Sequence, residues 1–114
     1  ANATDVGDLT QARNGGDGQS STENGYTSGG FPGPVNTIDK FPFASDANAT
    51  DVGDLTQARG GLAGQSSSEN GYNSGGYTST NANTIDKFPF AADANATDVG
   101  DLTQARDQVT GQQD

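Results

Sequence analysis

Two runs of oxygen-bearing side chains, Asp46-x-Asn48-x-Thr50-x-x-x-Asp54 and Asp93-x-Asn95-x-Thr97-x-x-x-Asp101, are the densest candidates for chemistry in this sequence. Oxygens at the first, third, fifth and ninth positions of a turning loop match the spacing of calcium loops, because Ca²⁺ is a hard cation that takes six to eight oxygens at ~2.3–2.6 Å. The chemistry implied is cation binding. Two departures favour a different use: the fifth position is Thr rather than Asp or Asn, and Asp51 or Asp98 stands where such loops carry Gly. The alternative is an Asx or ST turn, in which the same side chains hydrogen-bond their own backbone. Ca²⁺ is the one cofactor this pattern suggests.

Other candidates are recurrent rather than unique. Asn2, Asn48 and Asn95 each open an Asn-Ala-Thr sequon, a glycosylation acceptor in a secretory pathway that reads it. Arg13, Arg59 and Arg106 are isolated cations, and each is expected to act as a structural clamp on Asp54, Asp101 or carbonyls between units. Tyr26, Tyr72, Tyr77 and Phe31 lie near Gly-rich segments, where they can stack on a cell-surface glycan or pack between units; packing suits the first two, which recur at one offset. With no Cys and no His, thiol nucleophiles, disulfides, zinc centres and Ser-His-Asp triads cannot be built from these residues.

What positions these residues is repetition. Ala-Asn-Ala-Thr-Asp-Val-Gly-Asp-Leu-Thr-Gln-Ala-Arg occurs unchanged at 1–13, 47–59 and 94–106, giving periods of 46 and 47 residues. Between the copies lie GQSSTENGYTSGG and GQSSSENGYNSGG, then NTIDKFPFA twice. The extra residue falls between Gly76 and Ile85, which marks a surface loop. The sequence therefore divides into the end of a preceding unit (1–13), two units (14–59 and 60–106) and the start of a following one (107–114). Since residue 1 is not Met, a processed or excised segment of something longer is expected.

Composition alone points the other way. Leu, Ile, Val and Phe number 16 of 114 and the net charge is −10, values typical of a disordered acidic linker. A linker has no need of Ile, Phe, Tyr and paired Gly at fixed offsets, whereas a stacked unit does. The acidic surface and scattered cations disfavour nucleic acid, and no apolar run approaches a membrane span.

Each unit reads as four short strands, at about 62–67, 71–75, 84–90 and 96–102 and one period earlier. Asn24-Gly25 and Asn70-Gly71 predict type I′ hairpin turns. In Thr84-Ile85-Asp86-Lys87-Phe88-Pro89-Phe90, Ile85 has the opposite parity to Phe88 and Phe90, which suits a strand sandwiched between two sheets; Val99 and Leu102 likewise differ in parity. Ile38, Phe41, Phe43, Val52 and Leu55, with Ile85, Phe88, Phe90, Val99 and Leu102, are the expected buried set.

The order Arg59, Asn70-Gly71, Tyr72, Gly75-Gly76, Ile85-Asp86, Val99 to Leu102 and Arg106 resembles the kelch repeat, as does Arg13, Asn24-Gly25, Tyr26, Gly29-Gly30, Ile38-Asp39, Val52 to Leu55 and Arg59. The wording of the repeat also resembles uncharacterised repeat arrays of marine phages and bacteria. The kelch likeness implies four-stranded propeller blades, of which a closed ring needs about four to eight. It lacks the usual Trp before the fourth strand, and the strand before the Gly doublet is polar. The copper-radical chemistry found in that family uses His and a Cys-modified Tyr, neither of which is present.

The expectation is thus an all-β repeat array of kelch-like units, a partial propeller, with an elongated β-repeat fibre as the alternative. Its expected role is non-enzymatic: a structural or adhesive part of an extracellular or virion-surface fibre or filament, partnered by other copies of itself or by flanking repeats. A calcium- or glycan-binding propeller and a disordered acidic linker are the rivals. The isolated segment is expected to self-associate or stay unfolded, with residues 13–30 and 107–114 against neighbours outside the chain.

Overall fold

The TIDKFP segments are the richest in β-branched and aromatic residues, and each becomes the longest strand of its sheet. The computed structural model describes residues 1–107. Within them, β1 (Asp17–Ser20), β2 (Asn24–Ser28), β3 (Thr37–Pro42) and β4 (Thr50–Asp54) form one antiparallel sheet in sequential order. Strands β5 (Ala63–Ser66), β6 (Asn70–Ser74), β7 (Thr84–Pro89) and β8 (Thr97–Asp101) repeat it as a second sheet. All four expected strands of each unit are present, and their registers match: Tyr26 opposes Lys40 as Tyr72 opposes Lys87. No described residue is helical. Residues 108–114, part of the expected following unit, lie outside the described residues.

The hairpins are real but their turns fall elsewhere than expected. Ser67 donates its N–H to the Asn70 carbonyl at 2.9 Å, while its Oγ accepts the amides of Glu69 and Asn70, so the turn runs through Ser68-Glu69. Ser21 to Asn24 repeats this arrangement. Gly25 and Gly71 lie inside β2 and β6 without positive φ. They are needed for space: a Cβ at either would run into the ring of Phe41 or Phe88 on the adjacent strand.

The Gly-Gly doublets do adopt left-handed backbone, with φ 69° and 120° at Gly29-Gly30 and 70° and 105° at Gly75-Gly76. The turn they make brings the Gly30 amide to the Arg59 carbonyl at 3.0 Å and the Gly76 amide to the Arg106 carbonyl at 2.9 Å. The end of each unit is thereby tied to its own second strand.

The two sheets bury one shared core between their faces. Tyr26, Ile38, Val52 and Leu55 come from the first unit, and Leu62, Phe88, Phe90 and Ala96 from the second. Opposite parity in the TIDKFP strand has the expected consequence, since Ile38 points forward into this core while Phe88 points back into it. Val52 and Leu55, by contrast, enter it together, because a β-bulge opposite Ile38 and Asp39 leaves Val52 as an extra residue in β4 and reverses the alternation, while the Leu55 amide continues the ladder to the Asn36 carbonyl at 2.7 Å. The sheets approach most closely at β1 and β5, where a Cβ on Gly64 would collide with the Gly18 carbonyl at 2.5 Å.

Candidate functional site

The surface on which the recurrent residues converge is the joint between units. Arg59, at the end of the first unit, crosses to Asp86 on β7 of the second, Nη2 lying 3.3 Å from the carboxylate, and also donates to the Asn73 carbonyl at 3.3 Å. Asp86 accepts the Thr56 amide at 2.9 Å and its hydroxyl at 2.6 Å. Both charged side chains are fully buried. The arrangement is made a second time by Arg13, Thr10 and Asp39, with an ion pair of 3.2 Å and Arg13 donating to the Thr27 carbonyl. The clamp therefore reaches the carbonyls between units that the sequence suggested, but its carboxylate partner is Asp39 or Asp86 of the next unit and not Asp54 or Asp101.

Burial pushes the Arg59 guanidinium below its ordinary pKa, with Asp86 and then Asp98 acting in the opposite direction. Among the described residues its Nε and Nη1 find no partner, nor do those of Arg13. A buried pair of this kind contributes little net stability, since desolvation offsets attraction, but removing one partner strands the other charge.

Around the clamp lie two further layers. Toward β1 and β5 the Gln19 amide donates to Asn73 Oδ1 at 2.6 Å, Ser28 donates to the same oxygen at 2.8 Å, and Asp17 accepts the Gly64 amide at 2.9 Å. In the middle, Tyr26 meets Phe88 and Phe90 at ring-centroid distances of 5.4 and 5.0 Å. Such pairs add ~0.5–1.5 kcal/mol beyond the area they bury.

The candidate cation-binding residues are spread along the outer edge of the joints. The Asn48 and Asn95 Oδ1 atoms accept the amides of Asp8 and Asp54 from the preceding unit. Asp93 meets Lys40 at 2.9 Å in an exposed ion pair. Thr50 and Thr97 begin β4 and β8, and Asp54 and Asp101 end them. Among the described residues no three Asp, Glu, His or Cys side chains are grouped as a metal site would group them. The sequons place Asn2, Asn48 and Asn95 on exposed backbone.

Of the aromatic residues, Tyr26 is buried in the joint, Phe31 lies across Gly60, and Tyr77 is exposed. Sequence reasoning missed Asp39, Asp86, Thr10, Thr56 and the Gln19–Ser28–Asn73 group. The available signal was an Asp in the centre of the most apolar strand, paired once per unit with a Thr-x-x-Arg element. Comparison with protein-family models and with curated protein sequences finds no match.

Proposed function

We propose that this chain is a non-enzymatic structural or adhesive repeat segment of an extracellular or virion-surface fibre or filament, made of units that join as kelch-like propeller blades do. The observation that carries this reading is the Thr-x-x-Arg clamp on the next unit's Asp, made twice by identical residues. A unit whose recurrent Thr, Arg and Asp hold its neighbour is suited to building length or closing a ring. The sequential four-strand order and the close approach of β1 to β5 support the blade comparison.

The test is the dependence of stability on unit number. In chains extended to three, four and five units, the melting midpoint followed by far-UV circular dichroism should rise with each unit, because every added unit adds a nearest-neighbour joint while the exposed ends stay two. A random-coil spectrum, or a midpoint indifferent to unit number, overturns the reading in favour of an acidic linker.

A further inference from the structure

We infer that the two outer faces of this chain are complementary and that a second copy docks head to tail between them. This rests on the structural-repeat reading above. One outer face holds a groove of about 210 Å³ lined by Val6, Leu9, Phe41, Ala47 and Ala49 with Gly7 and Asp8. One period on, the equivalent residues Val52, Leu55, Phe88 and Ala96 are closed over by Tyr26 and Ile38. The groove is the inner joint without its plug. The matching plug is Tyr72 and Ile85, half-buried on the opposite face of the second unit.

The polar groups match as well. Thr103 and Arg106 are exposed on the face that carries the plug and stand in the positions of Thr56 and Arg59. Lys87 is the counterpart of Lys40, and Asp46 of its partner Asp93. Continuity with the inner joint thus assigns Ile85 to the groove, Arg106 to Asp39 and Lys87 to Asp46 of the second copy. Such a contact is heterologous and does not close on itself in a pair, so it propagates. Gly16, Asp17 and Thr27 stand where the inner joint has Leu62, Ala63 and Asn73, so the docked joint is less apolar and weaker than the inner one.

The junction also contains one element too many. Residues 1–13 already hold Asp39 through Thr10 and Arg13, and the incoming copy brings an identical segment at 94–106. Residues 1–13 are the ones that leave, since 94–106 is anchored in its own sheet by β8, and the incoming Val99, Leu102, Thr103 and Arg106 replace Val6, Leu9, Thr10 and Arg13 with identical side chains.

The test uses the full chain in sedimentation equilibrium from micromolar to millimolar concentration. The weight-average mass should rise above 11.5 kDa as concentration increases. Ala49→Asp places a charge in the groove and Ile85→Asp places one on the plug; each alone should remain monomeric with an unchanged circular dichroism spectrum. An equimolar mixture should form a species of twice the 11.5 kDa mass and nothing larger, since one intact groove then meets one intact plug. Wild-type chain that melts cooperatively but stays monomeric at all concentrations overturns the docking while leaving the repeat reading in place. Association unaffected by either substitution overturns the head-to-tail geometry, and an unfolded wild-type chain overturns both.

Discussion

The two units have nearly the same sequence and markedly different interiors. Ile38 is fully buried while Ile85 is half-buried; Leu55 is buried and Leu102 is not; Phe88 is buried where Phe41 is half-exposed. Phe43 is 54% exposed although its counterpart Phe90 packs on Tyr26, and Val99 is 48% exposed although Val52 joins the core. The pattern has a direction. Residues that point forward are covered in the first unit, and residues that point back are covered in the second. Burial here belongs to the joint, and a single unit holds too little apolar surface to enclose a core alone.

The difference between the two units should be largest at the clamp. Arg59→Ala leaves Asp86 buried without its partner and should cost roughly 3–5 kcal/mol by chemical denaturation. The same change at exposed Arg106 should stay within about 0.5 kcal/mol in the monomer. Equal costs would show that the joint does not set stability. Phe88→Ala should similarly cost about 3–5 kcal/mol, whereas Phe41→Ala, removing a half-buried ring, should cost roughly 1–2 kcal/mol.

A finer probe removes one methylene. Ile38→Val should lower stability by about 0.5–1.5 kcal/mol, and Ile85→Val by less, because its surroundings are open. The smallest expected effect is on pH dependence. Burial of Tyr26 raises its pKa above the ordinary value of 10.0, outweighing the opposing pull of Lys40. Above about pH 10 the unfolded chain therefore releases the tyrosine proton while the folded chain still holds it. Stability contributed by the neutral phenol is complete below that pH and is lost as pH rises through the folded value. Tyr26→Phe should flatten this alkaline decline, and an unchanged slope would mean that the ring is not enclosed by the second unit.

The positions of the eight strands were legible because TIDKFP carries apolar side chains of both parities and because hairpin signals recur once per period. Their exact turns were not, since Asn-Gly is ambiguous between two physical needs. At Gly71 the need is room for the Phe88 ring, a requirement that involves a neighbouring strand and leaves no local trace. Asp39 and Asp86 were passed over for a similar reason: an acidic residue between two hydrophobic ones reads as the solvent face of a strand until a cation from another unit is seen against it. Exposure of Phe43 and Val99 lay beyond any reading of one unit, because the residues that cover their counterparts come from the next.

The clamp also bears on how such a sequence changes over generations. Each joint is written by the same 13 residues on one side and the same strand on the other. Recombination between misaligned copies would insert or delete a whole period of 46 or 47 codons and regenerate the same Thr-Arg-Asp clamp at the seam. Number of units can then change while the clamp that holds each to the next stays the same, so the sequence encodes a joint and leaves length to the count of copies.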